Sequence, residues 1–336
     1  MKNLLSTLLK VAVSGGILFL IFRKIDTGLF LETVRSANPV TVAGAAVIVF
    51  LTQAVSSYRW QTILKKDMYV PYRKLLSIYL VGMFFNNFLP TLVGGDVIKG
   101  YYLYKSSGRG NVSLASIFMD RYSGFTALMF ITTVSVIAGY GLIQGTGLEV
   151  MFALLISAFL GMSAVIWVGP LHSWAMALLQ KVHFYGLNRK IDATYQTLMS
   201  YKSRPGILIT IFVCSLWVQG TAILGHFIIG WGIGMDLSVG YFFLFVPLAT
   251  VVSMVPVSLA GLGLREGAFV YLFTMVGGTQ EQALSVSLMY FAMMVLVSLI
   301  GGFEYVRMGG RKELAVGDGD VEEMRGAAEG AAEKNR

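Results

Sequence analysis

The run Pro205–Trp231 carries no Asp, Glu, Lys or Arg, and as a helix it is long enough to cross the roughly 30 Å hydrocarbon core of a bilayer. Several other runs in the chain are comparably apolar. In hydrocarbon every backbone N–H and C=O must be paired within the protein, so only helices or a closed barrel can span. The residue alternation and turn spacing of a barrel are absent. With 56% apolar and 13% charged residues and a mean hydropathy of +0.70, the expectation is an all-α polytopic membrane protein.

Six spans are predicted: Leu4–Phe22, Val40–Ser57, Ser113–Tyr140, Val150–Val168, Pro205–Trp231 and Ala283–Val306. The first resembles a signal peptide, but Arg23-Lys24 ends it without a small-residue cleavage site, so an uncleaved span is expected. A short amphipathic helix is expected near Leu29, Phe30 and Val34, and further interfacial helices within His172–Arg204. Residues 1–308 read as one integral membrane domain. Residues 309–336 form a polar tail with too little apolar sequence to build a core.

Charge orients the chain. The net charge is +8, and with the acidic tail set aside the membrane body is at +10. With the N-terminus inside, Arg59, Lys65, Lys66, Arg73, Lys74, Lys181, Arg189, Lys190, Lys202, Arg204 and Arg307 all face the cytoplasm. The turns 141–149 and 232–240 carry no base at all. The connector with Arg23, Lys24 and Arg35 is the exception. Both termini are thus expected on the cytoplasmic side of the cell membrane. The bases are scattered among spans, which argues against nucleic acid as a partner. A single cysteine, Cys214, excludes an internal disulfide.

Two stretches break the pattern. In Asn86-Asn87-Phe-Leu-Pro90-Thr-Leu-Val-Gly94-Gly95-Asp96-Val-Ile-Lys99 a proline and two glycines interrupt apolar sequence, so one helix should end and another begin near Asp96. The same punctuation, P-x-x-x-[GA]-G-x-x-x-[KR], returns 166 residues later from Pro256 to Arg265, with Gly261, Gly263 and Glu266 in the second copy. Three spans separate the copies, an odd number. The two broken elements, Leu75–Tyr104 and Tyr241–Val276, should therefore open from opposite faces, as an inverted repeat. Six spans plus two re-entrant hairpins is the preferred count, with eight full spans the alternative.

A helix that restarts after such a break presents unpaired N–H groups and a positive dipole end. With Lys99 or Arg265 within about one turn, this makes an anion site, and phosphate is the anion that membranes supply. The structural alternatives are local: Asp96 capping its own helix, Lys99 reaching to water, and Arg265 paired with Glu266. Asn86 and Asn87 can bind a head group or support the broken backbone. Asp120 and Arg121 read either as a buried pair facing a cavity or as an interfacial pair. Glu304 reads as interfacial, and Gln219 and His226 as satisfied by neighbouring helices. No nucleophile–base pair, metal cluster or nucleotide loop is present, so no enzyme activity and no cofactor are expected.

These motifs, together with Met119-Asp120-Arg121 and Pro256-x-Ser258-x-Ala260-Gly261-x-Gly263-x-Arg265-Glu266, resemble the lysylphosphatidylglycerol synthase transmembrane-region family, also called flippase-like domain proteins. The resemblance covers roughly residues 1–308, with Lys99 in place of arginine and Ala260 in place of glycine. It implies a module that moves a phosphate-bearing lipid between leaflets: an anionic or aminoacylated phospholipid, or a polyprenyl-linked glycolipid. The polar stretch after the last span is far shorter than an acyltransferase domain, so the membrane module alone is expected. The two hairpins would meet near the midplane, with Lys99 and Arg265 handling phosphate from opposite sides. An ion-coupled solute transporter using Asp120 or Glu266, and a scaffold for a lipid or glycan biosynthetic enzyme, are the rival readings. Gly15-Gly16 or Gly301-Gly302 could pack helices within the chain or between copies in a homo-oligomer.

Overall fold

The computed structural model describes residues 15–16, 19–23, 26–88, 94–180, 195–254, 258 and 261–309. Among these the regular structure is helical throughout: α1 Thr27–Arg35, α2 Pro39–Leu64, α3 Tyr72–Phe88, α4 Gly94–Ser107, α5 Gly110–Ala138, α6 Tyr140–Ile143, α7 Leu148–Trp167, α8 Gly169–Gln180, α9 Pro205–Gly232, α10 Val239–Ser253, α11 Leu264–Thr274 and α12 Gln280–Arg307. Five of them, α2, α5, α7, α9 and α12, are long and apolar enough to cross a membrane. They correspond to five of the six predicted spans. The remaining span, Leu4–Phe22, lies largely outside the described residues. The protein is an all-α polytopic membrane protein.

Local sequence sets the helix starts. Asn38 accepts from the Val40 amide ahead of Pro39, Asp26 accepts from the Gly28 and Leu29 amides, and Thr279 and Gln282 cap α12 reciprocally; each satisfies donors that a first turn leaves unpaired. The expected amphipathic connector is α1. The expected interfacial stretch contributes α8 and a short turn of helix at 195–199. Residues 181–194 and the polar tail beyond Gly309 lie outside the described residues.

Contacts between helix ends establish the topology. At one end the Asn38 amide donates to the Gly232 carbonyl at 3.0 Å, Ser135 Oγ donates to the Phe243 carbonyl at 2.7 Å, and Gln282 Nε2 to the Gly234 carbonyl at 3.2 Å. Gly278, just past α11, packs beside Met235. At the other end Gln61 Nε2 donates to the Val70 carbonyl at 2.9 Å, Arg109 to the Asp67 carbonyl at 2.8 Å, and Tyr201 to the Ile63 carbonyl at 3.1 Å. The pair α3–α4 therefore enters and returns at the Leu64 end, and α10–α11 enters and returns at the Gly232 end. These are two helix–break–helix hairpins of opposite orientation, as the repeat predicts.

Both hairpins rest on α12. Apolar burial does not drive helices together in hydrocarbon, so close packing carries the association, and small residues permit it. Gly301 is such a residue: a side-chain carbon there would overlap the Leu80 carbonyl of α3, while one on Gly302 would press on Phe84. The Gly301-Gly302 pair thus packs within the chain. Gly301→Ala is expected to lower the thermal midpoint in detergent, because the obstacle is backbone and α3 must shift, at about 1–3 kcal/mol. Gly161→Ala on α7 meets open space and should leave the midpoint unchanged or raise it. Equal midpoints for the two variants would refute this packing.

Candidate functional site

Between α3 and α4 of the first hairpin, residues 89–93, which include Pro90, lie outside the described residues. Among the described residues its returning helix runs from Gly94, close to the expected start near Asp96. The free amide of Gly95 is met at once, since Asn86 Oδ1 accepts from it at 2.8 Å. Asn87 Nδ2 reaches across to the Met294 carbonyl of α12 at 3.4 Å. Both asparagines thus support backbone, one within the hairpin and one to its neighbour. Gly95 and Gly82 bring α3 and α4 into close approach, and the methylene stem of Lys99 lies over Gly82.

Behind this contact lies a network of five ionised side chains. Lys99 Nζ is 2.9 Å from Asp96 Oδ1, off the angle of a hydrogen bond, and 3.6 Å from Asp120 Oδ2. It also stands over the rings of Tyr79, 4.2 Å from the centroid, and Trp60, at 5.5 Å. Asp120 Oδ1 accepts from Arg59 Nε at 2.9 Å and pairs with Arg59 Nη2 at 2.8 Å, while Tyr79 donates to Oδ2 at 3.1 Å. Arg59 Nη1 donates to Ser215 Oγ on α9 at 2.8 Å. Arg121 Nε binds Asp96 Oδ2 at 2.6 Å. Charges drawn this far from water persist only where paired and hydrogen-bonded. Arg59, Asp96, Lys99 and Asp120 are all buried, whereas the Arg121 side chain is 53% exposed.

Asp120 and Arg121 do not form a pair. Successive residues on a helix point about 100° apart, and here Asp120 turns inward to Arg59 and Lys99 while Arg121 turns to Asp96. Asp96 does not cap its helix; its carboxylate holds Lys99 and Arg121. The network contains three cations and two carboxylates, an excess of one positive charge.

Between α10 and α11 of the second hairpin, Pro256 and Ala260 lie outside the described residues. Gly261 and Gly263 have positive φ angles of 80° and 87°, a conformation glycine adopts without strain. The Gly263 amide donates to Glu266 Oε2 at 2.6 Å. Glu266 Oε1 accepts from Arg265, and Ser287 Oγ of α12 lies 3.1 Å from Arg265 Nε. The Arg265 guanidinium stands 4.8 Å from the centroid of Phe291, an arrangement that favours a cation over a ring face. Ser258, at the tip, is buried with its hydroxyl unpaired among the described residues. His226 stacks on Tyr290 with centroids 3.7 Å apart and bonds to the Ala222 carbonyl of its own helix, while Gln219 donates to the Gly124 carbonyl of α5.

The two clusters do not meet at the midplane. Arg59 lies one turn or so from the Leu64 end of α2, and Ser287 sits within two turns of the other end of α12. On α9 the first cluster touches Ser215 and the second is level with His226, a separation of roughly 16 Å at 1.5 Å per residue. One charged station thus lies toward each end of the bundle. A groove of about 600 Å³ beside the second hairpin, lined by Phe130, Val134, Leu142, Tyr241, Phe243 and Leu244 together with Ser135 and Ser238, is mostly apolar.

The family described as Lysylphosphatidylglycerol synthase TM region matches residues 7–302, a stretch that includes both hairpins and both clusters. The chain belongs to this family. It is also similar to a UPF0104 membrane protein of Methanothermobacter thermautotrophicus, with 24% identity over 268 residues, 73% of this chain and 78% of the relative.

For this lysylphosphatidylglycerol synthase TM-region protein, sequence reasoning missed Arg59, Tyr79 and Ser215. Arg59 sits in Tyr58-Arg59-Trp60 at the end of an apolar run and reads there as an interfacial anchor, yet it is buried and tied to Asp120. A signal was available: an acid inside a predicted span, Asp120, requires a base from another helix.

Proposed function

We propose that this protein is a lipid translocase of the cytoplasmic membrane, moving a lipid with a phosphate-bearing head group between leaflets without catalysing covalent chemistry. One observation carries the reading: two inverted hairpins hold basic residues beside their breaks, one station toward each end of the bundle. A head group released from one station meets the second about 16 Å further along, while its chains remain in hydrocarbon, for which the apolar groove beside α10 is suited. Lys99 and Arg265 serve the phosphate, with Asp96, Asp120 and Glu266 holding the cations in place between visits. Gly94, Gly95, Gly261 and Gly263 let the backbone approach the head group, and Asn86 and Asn87 keep the first tip in position. Both termini face the cytoplasm in this reading. An ion-coupled carrier would need a carboxylate free to cycle protons, whereas Asp120 and Glu266 are both engaged by arginine.

The test is loss of leaflet protection in liposomes, with a head-group-labelled anionic phospholipid and a labelled polyprenyl phosphate side by side. Lys99→Ala should slow transfer about tenfold and leave the fold intact, because Asp96 keeps Arg121 and Asp120 keeps Arg59. Arg265→Ala strands the buried Glu266, so Arg265→Gln with Glu266→Gln is the cleaner second variant, and a comparable slowing is expected. Wild-type protein that accelerates neither lipid would sink the translocase reading in favour of the scaffold.

A further inference from the structure

We infer that the Leu64-end station takes one singly charged phosphodiester lipid at a time, and that Arg121 is the residue that selects it. The inference rests on the translocase reading and names the substrate charge which that reading leaves open.

The argument is one of charge and access. Four of the five ionised groups in the network are buried and face one another. Arg121 spends only its Nε on Asp96, and among the described residues its two Nη groups have no hydrogen-bond partner. They sit on a side chain that is half exposed. A guanidinium with its terminal edge open presents a planar fork that matches two oxygens of a phosphate. The network as a whole, Arg121 included, holds one unbalanced positive charge, which a phosphodiester cancels. A phosphomonoester, with a charge close to −2 above its second ionisation, would leave the station negative beside two buried carboxylates.

The ligand is an amphiphile rather than a free anion. Leu114, Phe118 and Arg121 fall at i, i+4 and i+7 on α5, one stripe of the helix, and Leu114 and Phe118 are both exposed. Apolar surface thus runs directly to the cation along one face, the order in which a lipid offers its chain and its phosphate.

Native mass spectrometry of the purified full chain tests this, with dioleoylphosphatidylmethanol, dioleoylphosphatidic acid and dioleoylglycerol as competing ligands at about pH 8, where the monoester carries nearly two charges. Wild-type protein should retain one phosphatidylmethanol in preference to either competitor. Arg121→Gln should reduce that retention about tenfold, with Arg121→Lys in between. Asp96→Asn raises the excess charge from one to two and should shift preference toward phosphatidic acid. That reversal is a gain of binding, which a misfolded variant would not produce. Wild-type preference for phosphatidic acid, or retention unchanged in Arg121→Gln, would overturn the inference. Dimethyl phosphate displacing the lipid at equal concentration would overturn its lipid part and assign the station to a soluble phosphodiester. The two readings fail separately: selective binding without leaflet transfer refutes translocation alone, and transfer indifferent to Arg121→Gln refutes this inference alone.

Discussion

Asp120→Asn is expected to destabilise the protein by about 3–5 kcal/mol, the cost of stranding a buried charge. The carboxylate is 1% exposed and is the shared partner of Arg59, Lys99 and Tyr79. An amide of the same shape can still accept one hydrogen bond, but it removes the only acid within reach of Arg59 among the described residues. The network goes from one excess positive charge to two. Thermal unfolding in detergent measures the loss, and Asp120→Glu should recover part of it. The double variant Arg59→Met with Asp120→Leu should be more stable than Asp120→Asn, since it removes the charge together with its desolvation cost. An Asp120→Asn midpoint equal to wild type would show that Arg59 reaches water, and would remove the case for a buried network.

Under the proposed translocase function, Gly95→Ala is expected to abolish most transport at a moderate cost in stability. The added carbon would overlap the Gly82 carbonyl oxygen and lie 2.7 Å from the Asn86 side-chain carbon. A carbonyl cannot rotate aside within a helix, so α4 must move off α3, at about 1–3 kcal/mol. Asp96 comes immediately after Gly95, and Lys99 lies one turn further on. A displacement of about 1 Å at such a site is enough for a hundredfold loss of rate. Leaflet transfer should therefore fall much further than the melting temperature, and proportionate losses in both would mean that Gly95 serves packing alone.

Much of this architecture is legible in sequence because its causes are local. Pro90 followed by the Gly94-Gly95 pair, and Pro256 followed by Gly261 and Gly263, concentrate helix-weakening residues in short stretches of apolar sequence. An odd number of spans between two such breaks then inverts one relative to the other. The pairing of charges is different in kind. Asp120 is adjacent to Arg121 in sequence, yet it binds Arg59, 61 residues away, because the rotation and register of α2 against α5 decide which side chains face. Tyr79 and Ser287 look like ordinary residues of apolar runs until another helix brings an ion to them. The depth of each station was equally hidden, since it depends on where along α9 and α12 the hairpins dock.

That docking makes α12 a common reference for both halves of the molecule. Ser287 and Phe291 face Arg265, and the Met294 carbonyl, barely one turn beyond Phe291, receives Asn87 from the opposite hairpin. A displacement of either hairpin along or around this helix changes what the other rests on, with no wire of contacts needed between the two charged clusters. The phase of α12 therefore fixes how the two clusters are turned relative to each other. Inserting one residue between Phe291 and Met294 would advance one side by about 100° against the other, leaving each station chemically complete but out of step with its counterpart.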